Sequence, residues 1–227
     1  MKVVILAAGK GTRMKERARE ISKVMVPIKG RPKLEYTLDH LPDEITEIIM
    51  VVGHNRASIQ DHFSEQYGER KITYVIQETL NGTDGAVRAA EELLKLEDRF
   101  LVLNGDDLYH KSDLRKLLKY RYATLAFYSH DAKQFGLIYI DDNDNLEKIT
   151  EKSDRHSEGL VATGAYIVGS EYFTFNPVAI SDTEFGLPHT LLSMREQYPL
   201  RVVHADFWHP VGTPEQHDAA GAALSEL

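Results

Sequence analysis

The sequence predicts an α/β fold with a mostly parallel sheet, and two observations support this prediction. Short apolar runs alternate with helix-like stretches through the first half of the chain, which is the pattern of βαβ units. The composition, with 42% hydrophobic and 27% charged residues, is that of a globular protein with a sizeable core. A length of 227 residues fits one continuous α/β domain.

The first half of the chain contains four predicted strands and three predicted helices. Residues 3–7 are apolar throughout and are followed by the glycines at positions 9 and 11, as expected for a strand buried on both faces of a parallel sheet. The later strands are residues 48–52, 72–76 and 100–103, and the helices are residues 32–40, 56–63 and 83–94. The last helix carries its alanine and leucine residues on one face, which indicates packing against the sheet.

The pattern becomes richer in strands after Asp107. A short helix, capped by Ser112 and reaching Lys119, is predicted first. Strands at residues 124–128, 136–140, 146–150 and 161–168 follow, then a helix at 188–197, a strand at 202–205 and a closing helix from Pro214. The turn-forming residues 142–145 join two of these strands as a hairpin. No linker or repeat divides the chain, so we expect one domain with two lobes.

The charge and the absence of cysteine exclude several classes of protein. A formal net charge of -8 provides no general basic field for a nucleic-acid backbone, so we expect no nucleic-acid partner. The chain has no cysteine, which excludes disulfides, thiolate zinc sites and thiol nucleophiles. No segment approaches eighteen consecutive apolar residues. We therefore expect no membrane partner and a cytoplasmic location.

The segment after the first strand is the most informative part of the sequence. Residues 6–14 read Leu-Ala-Ala-Gly-Lys-Gly-Thr-Arg-Met. Glycines after a buried strand allow a tight turn, and successive free N–H groups can bind an anion. Lys10 and Arg13 add positive charge, and we expect the space beside Gly11 to belong to a phosphate. Met14 stands where the dinucleotide fingerprint has its third glycine, and no Walker motif is present, so the residues alone predict a phosphate-binding α/β domain.

This segment resembles the signature of the sugar nucleotidyltransferase family, also called nucleoside-diphosphate-sugar pyrophosphorylases. Further segments resemble motifs of that family in the same order, and together they cover nearly the whole chain. These segments are Ser22-Lys23 with residues 26–27 and 30–32, residues 77–83, Asn104-Gly105-Asp106, residues 135–138, 151–152 and 163–166, and residues 211–215. Serine replaces the proline that precedes the lysine in the family, but Lys23 is present.

The resemblance implies both a fold and a reaction. The fold is a Rossmann-like one of the glycosyltransferase-A type, with a mixed, mainly parallel sheet flanked by helices. In the implied reaction a sugar 1-phosphate oxygen attacks the α-phosphorus of a nucleoside triphosphate (NTP), and pyrophosphate leaves. Residues 1–110 would then form the nucleotide-binding lobe and residues 111–227 the acceptor lobe. The NTP and the sugar 1-phosphate are the expected partners, Mg²⁺ or Mn²⁺ is the expected cofactor, and a homodimer is the assembly we consider.

The resemblance also assigns roles to individual residues. Arg13 and Lys23 are the predicted catalytic residues, which meet phosphates, and Asp106 is the predicted metal ligand. The predicted nucleotide-binding residues are Leu6, Ala7, Ala8, Gly9, Gly11, Thr12, Gln77, Gly82 and Thr83. The predicted acceptor-binding residues are Gly136, Glu151, Lys152 and Gly164. Asp107 is predicted to be a solvated or capping residue.

Two residues depart from the family pattern. Pro210 stands where the family has an aspartate that is a second metal ligand, and Ala162 stands where it has an asparagine. His209 and Asp206 are the candidates to replace that aspartate, although imidazole is a poor ligand for Mg²⁺.

The base and the acceptor stay open. UTP or dTTP is favoured because Gln77 can pair with the imide edge of a pyrimidine through one donor and one acceptor, although guanine offers a similar edge. The residue at Ala162 leaves a second hypothesis, a cytidylyltransferase acting on a small phosphorylated alcohol such as phosphocholine. The residue at Pro210 leaves a third, a catalytically silent nucleotide-binding regulatory protein.

Overall fold

A mixed eight-stranded sheet lies at the centre of the computed structural model, which describes residues 1–150, 152 and 157–227. The strands are β1 (Lys2–Ala7), β2 (Pro27–Ile28), β3 (Arg31–Pro32), β4 (Glu47–Val52), β5 (Gln66–Tyr67), β6 (Arg70–Ile76), β7 (Arg99–Asn104), β8 (Asp107–Tyr109), β9 (Ala123–Ser129), β10 (Ile138–Ile140), β11 (Leu146–Ile149), β12 (Gly159–Gly169), β13 (Arg201–His204) and β14 (Trp208–Pro210). The helices are α1 (Lys33–Asp39), α2 (Ala57–Phe63), α3 (Gly82–Ala89), α4 (Glu91–Leu94), α5 (Lys111–Leu117), α6 (Leu187–Ser193) and α7 (Pro214–Ala223), with 3₁₀ helices at Thr12–Ala18, Lys23–Met25 and Ser170–Thr174.

The strand order of the large sheet is β13-β9-β12-β7-β1-β4-β6-β5. β1 pairs in parallel with β4 and β7, β4 pairs in parallel with β6, and β13 with β9. β12 runs antiparallel to β7 and β9, and β5 is antiparallel to β6. The predicted mixed, mainly parallel sheet is therefore confirmed.

The apolar run of β1 is explained by burial on both faces of the sheet. Val3, Ile5 and Ala7 belong to the core cluster on one face, and Val4 and Leu6 belong to the cluster on the other. Successive side chains of a strand point to opposite faces, so a central strand covered on both sides must be apolar at every position. Helices supply the cover, as in other α/β folds.

Several predicted elements have different bounds in the structure. The predicted helix at residues 83–94 is two helices, α3 and α4, because Ala90 leaves the helical region with φ -96 and ψ 7. Helix α5 begins at Lys111 after His110, and Ser112 does not cap it; the Ser112 hydroxyl lies 2.7 Å from His110 Nδ1 instead. The predicted hairpin is confirmed as β10–β11, and the carboxylate of Asp141 accepts from two backbone N–H groups of its turn.

One short pairing was absent from the prediction and brings the end of the chain to the centre of the sheet. β8 and β14 form an antiparallel two-stranded sheet in which Pro210 is the partner of Asp107. Val211 then donates its N–H to the carbonyl of Asp106 at 3.2 Å. Within the part of the chain that the structure describes, no helix is long and apolar enough to cross a membrane.

Candidate active site

A cavity of about 750 Å³ lies at the carboxyl ends of β1 and β7. In open α/β sheets this edge is where ligands bind. The predicted residues that line it are Leu6, Gly9, Gly11, Thr12, Arg13, Lys23, Gln77, Gly82, Thr83 and Asp106. The structure thus brings together residues that are up to a hundred positions apart in the sequence.

The other predicted residues lie elsewhere. Ala7 is fully buried in β1, and the carbonyl of Ala8 accepts from the N–H of His54 at 3.2 Å, so neither residue lines the cavity. A second cavity of about 250 Å³ is lined by Gly136 and Gly164 and shares five residues with the first. Lys152 is exposed and lines neither cavity. Glu151 lies outside the described residues.

The glycine loop is shaped around the side chain of Lys23. Gly11 has φ +67, and a Cβ there would lie 2.8 Å from Cβ of Lys23 and 3.2 Å from Cβ of Ala18. A Cβ at Gly9 would lie 3.6 Å from Cε of Lys23, near the far end of the same side chain. The expectation that the space beside Gly11 belongs to a phosphate is therefore wrong. Gly11 makes room for Lys23, and its backbone also requires a residue that tolerates positive φ, whereas a Cβ at Gly9 would make only an ordinary contact with Lys23.

Lys23 reaches the predicted metal ligand. Its Nζ donates to Oδ2 of Asp106 at 2.7 Å, and the side chains of the two residues are 19% and 8% exposed. Burial acts to raise the pKa of Asp106, but the positive charges of Lys23 and then Lys33 outweigh it and hold that pKa below its ordinary value. Asp106 is therefore an ionised carboxylate whose nearest counter-ion is a lysine at the cavity wall.

Asp107 is a second buried carboxylate of the cavity, so its prediction as a solvated or capping residue is wrong. It is 6% exposed, lines the cavity beside Asp106 and accepts from Nδ2 of Asn104 at 3.3 Å. Burial, and then the negative charge of Asp106, raise the pKa of Asp107 to about 7. In the pairing of β8 with β14, Pro210 lies directly opposite Asp107 and also lines the cavity.

The two candidates to replace the aspartate at position 210 are engaged elsewhere. His209 has its Nε2 2.9 Å from the carbonyl of Gln216, and Asp206 is exposed and accepts from Nζ of Lys116 at 2.7 Å. Neither residue lines the cavity, so the prediction that one of them replaces the aspartate as a metal ligand is wrong.

Lys33 was not predicted as part of the site. It lies at the start of α1, is 1% exposed, and donates from Nζ to the carbonyl of Val211 at 2.6 Å. Burial is the main reason that its pKa falls to about 8. The available signal was helical spacing, because Lys33 is four residues before Thr37 and next to Leu34, all of which are buried.

The predicted base-reading stretch has a defined orientation. Gln77 is 7% exposed, and its Nε2 donates to the carbonyl of Gly82 at 3.1 Å and to Oδ1 of Asn81 at 3.0 Å. Because a carbonyl can only accept, Nε2 must face Gly82, and Oε1 is the amide atom that can meet a ligand. Gly82 has φ +96, and a Cβ there would overlap the backbone of Phe185.

Phe185 belongs to a loop that the sequence analysis missed. Its N–H donates to the carbonyl of Asn81 at 2.8 Å, and its carbonyl accepts from the N–H of Asp84 at 3.2 Å. This docking brings Ile180, Thr183 and Glu184 to the cavity wall.

The residues present fit a divalent ion that brings its own further ligands. Asp106 and Asp107 offer hard carboxylate oxygens, and Mg²⁺ prefers such oxygens while keeping positions for water and phosphate. Among the described residues there is no group of three or more His, Asp or Glu side chains that could enclose a metal. Asp106 and Asp107 are therefore the residues that would hold such an ion, and Arg13 and Lys23 line the same cavity.

Known proteins resemble this chain over almost its whole length. The bifunctional protein GlmU of Methanocaldococcus jannaschii is 29% identical over 217 residues, covering 94% of this chain and 52% of that protein. The chain thus spans about half the length of these first relatives. The D-glycero-alpha-D-manno-heptose 1-phosphate guanylyltransferase of Campylobacter jejuni is 29% identical over 221 residues, covering 96% of this chain and 97% of that protein.

The fold is that of solved nucleotidyltransferase structures. The putative glucose-1-phosphate thymidylyltransferase of Bacillus anthracis superposes with a TM-score of 0.81 at 21% identity, covering 100% of this chain and 96% of that one. With the sheet described above, this likeness confirms the predicted glycosyltransferase-A type of fold. The model of the nucleotidyl transferase family matches residues 2–225. The chain therefore belongs to the nucleotidyl transferase family, as its sequence motifs indicate.

Proposed function

We propose that this chain transfers a nucleoside monophosphate from an NTP to a sugar 1-phosphate and releases pyrophosphate. The observation that carries the proposal is the Lys23–Asp106 pair, which lies in one cavity with Arg13 and the glycine loop. Two polyanions must be brought together in line, and cations with a metal-binding carboxylate are what such a transfer requires. The guanylyltransferase of C. jejuni, whose name states a transfer to a sugar 1-phosphate, matches over nearly its full length and supports the same reaction class.

The glycine loop and its cations hold the triphosphate. Backbone N–H groups around Gly9 to Thr12 and the guanidinium of Arg13 bind the phosphate oxygens. In the free protein, Nζ of Lys23 donates a hydrogen bond to Asp106. When the NTP binds, this ammonium turns to the phosphate that is transferred to the acceptor. The attacking oxygen belongs to an ionised phosphate, so the reaction needs no protein nucleophile or general base.

Asp106 and Asp107 are the residues that would hold Mg²⁺ or Mn²⁺. When bound, the ion would neutralise charge on the phosphates and leave the protein to position them. Asp106 supplies the ionised carboxylate, and Asp107, whose pKa is raised to about 7, supplies a second carboxyl group beside it that a bound cation would keep ionised.

Gln77 favours a base that offers a ring N–H group. Because its Nε2 is engaged by Gly82 and Asn81, its Oε1 accepts from the base. Uracil and thymine offer N3–H, and guanine offers N1–H, whereas N3 of cytosine is an acceptor. UTP and dTTP stay the proposed nucleotides, but only the acceptor half of the expected pairing is free, so this contact does not separate them from GTP; we expect CTP to be disfavoured. This orientation weighs against the cytidylyltransferase hypothesis.

The second cavity is the proposed acceptor site. Gly164 has φ +78, and a Cβ there would overlap the side chain of Asn104, so the glycine lets β12 approach β7 closely. Gly136 and Ala162 line the same cavity. Glu151 and Lys152 stay proposed acceptor ligands, because they directly follow Thr150, which also lines it.

A pyrophosphate-release screen tests the proposal. Five NTPs (ATP, CTP, GTP, UTP and dTTP) are combined with a panel of sugar 1-phosphates and with phosphocholine, in the presence of Mg²⁺. We expect release with at least one sugar 1-phosphate and with UTP, dTTP or GTP, whose bases offer a ring N–H, and none with phosphocholine. Nucleotide and metal binding without release across the whole panel would instead support a silent binding protein.

A cytoplasmic location and a homodimer are further proposals. Analytical ultracentrifugation measures the oligomeric state.

A further inference from the structure

Lys33 is a charged group behind the cavity that the proposed reaction does not use. Its side chain is 1% exposed, and its Nζ donates to the carbonyl of Val211 at 2.6 Å. A buried ammonium is unfavourable unless opposite charge lies close to it. The burial of the Lys33 ammonium therefore depends on negative charges near it.

Two hydrogen bonds connect α1 to the acidic pair. Val211, which accepts from Lys33, donates its own N–H to the carbonyl of Asp106 at 3.2 Å. One turn further along α1, the hydroxyl of Thr37 donates to the carbonyl of Asp107 at 3.0 Å. Helix α1 thus supports the backbone of both carboxylate residues, directly at Asp107 and through one intervening residue, Val211, at Asp106. Of its two contacts, only Lys33 brings charge.

The two lysines near Asp106 differ in their freedom. Lys23 lies at the cavity wall with its side chain 19% exposed, so a nucleotide phosphate can draw its ammonium away from Asp106. Lys33 is enclosed by the protein and cannot follow a ligand. After Lys23 has moved to a phosphate, Lys33 is the cation that stays with Asp106 and Asp107.

We propose, on the basis of the function proposed above, that Lys33 is a fixed internal cation that opposes binding of a divalent ion by itself and favours binding of the ion together with the nucleotide. Its positive charge partly neutralises Asp106 and Asp107, which weakens their hold on a free metal ion. The same charge attracts the phosphates of an NTP. Because these phosphates bring ligands and negative charge, the metal ion and the nucleotide bind as one unit. Lys33 acts through the acidic pair and is a positioning residue.

A purely structural role makes a different forecast. In that case Lys33 serves to satisfy the carbonyl of Val211, and its charge has no effect on ligands. Replacing Lys33 would then lower stability and would leave metal affinity unchanged or reduced.

Three variants separate the two roles. Lys33→Gln keeps a hydrogen-bond donor but loses the charge, and Lys33→Met loses both. Thr37→Val is the matched control, because it removes a hydrogen bond from the same helix to Asp107 without changing charge. Circular dichroism and urea unfolding identify the variants that fold, and Lys33→Gln decides the question if Lys33→Met does not fold.

Mn²⁺ binding to the nucleotide-free protein, followed by electron paramagnetic resonance, is the main measurement. A unit charge about 10 Å from a divalent ion changes its affinity by roughly fourfold at the dielectric constant of water, and by more where the surroundings are less polar. We expect both Lys33 variants to bind Mn²⁺ more tightly by about that factor and to bind metal-free NTP more weakly, while Thr37→Val keeps the wild-type Mn²⁺ affinity. Unchanged or weaker Mn²⁺ binding by folded Lys33→Gln would overturn the proposal, as would an equal gain in Thr37→Val.

These binding data are independent of turnover. If wild type releases no pyrophosphate but the Lys33 variants gain Mn²⁺ affinity, the proposed function fails and the role of Lys33 stands. If wild type is active and the Mn²⁺ affinities are equal, the reverse holds.

Discussion

The ion pair between Lys23 and Asp106 can be tested without any substrate. Lys23→Met removes the ammonium 2.7 Å from Oδ2 of Asp106 and leaves a carboxylate whose side chain is 8% exposed. Removing one partner of a buried pair costs about 3 to 5 kcal/mol, because the other charge is left uncompensated. In this variant the positive charge of Lys33 still partly compensates the negative charge of Asp106. We therefore expect the free energy of unfolding to fall by the lower value, about 3 kcal/mol.

The reverse variant and the double variant complete a thermodynamic cycle. Asp106→Asn leaves Lys23 at the cavity wall, where it can turn to solvent, so a loss of only about 1 kcal/mol is expected, as for one hydrogen bond. The double variant leaves neither charge alone and should lose about 2 kcal/mol. The sum of the single losses then exceeds the loss of the double variant by about 2 kcal/mol, which is the coupling energy.

Urea unfolding followed by circular dichroism gives the four free energies, and Trp208, the one tryptophan, gives an independent fluorescence signal. The exposed pair of Lys95 and Glu92 is the matched control, with an expected coupling below about 0.5 kcal/mol. Additive losses for Lys23 and Asp106 would show that the pair does not form in the free protein. In turnover, Lys23→Met should lose about 1.5 to 3 kcal/mol of transition-state stabilisation.

Three further predictions follow from the same region. Gly11→Val should lower the melting temperature as well as NTP binding, because φ is +67 and Cβ would lie 2.8 Å from Cβ of Lys23; a variant with wild-type stability would contradict this. Pro210→Asp should tighten Mn²⁺ binding to the nucleotide-free protein, because the added carboxylate would lie opposite Asp107, and calorimetry would expose an unchanged affinity. The pKa of Lys33 is lowered from 10.5 to about 8, so the unfolded chain binds more protons than the folded one between those values, and this group makes stability rise through that window by up to roughly 3 kcal/mol. Denaturation of wild type and Lys33→Gln from pH 7 to 10 checks this, and parallel curves would refute it.

The large sheet was predictable because its strands are long and apolar. β1, β4 and β7 are buried on both faces, so each appears in the sequence as an uninterrupted apolar run. β8 and β14 are three residues each, carry polar residues and pair across about a hundred positions. No local pattern encodes such a pairing, since its register depends on how the rest of the chain packs.

Sequence motifs predicted many of the residues that the structure brings to one cavity, whereas the charged residues that the prediction missed or misplaced are buried ones. Gly9, Gly11 and Lys23 follow a recognisable spacing, and the structure brings them to one cavity. Asp107 and Lys33 are charged residues that the structure buries. A sequence pattern treats such residues as solvent-facing by default, because the counter-charges that allow their burial come from distant segments.

The pairing of β8 with β14 also bears on the departure from the family pattern at Pro210. A carboxylate at position 210 would face Asp107, which is already buried there with Asp106 beside it. Three carboxylates at this point would exceed the charge that Lys23 and Lys33 can neutralise, and would raise the pKa of Asp107 further. Proline keeps the number of carboxylates at two. In the proposed metal site the second carboxylate therefore comes from Asp107 of β8 and not from β14. This places an additional negative charge in the interior, and the buried ammonium of Lys33 partly compensates it.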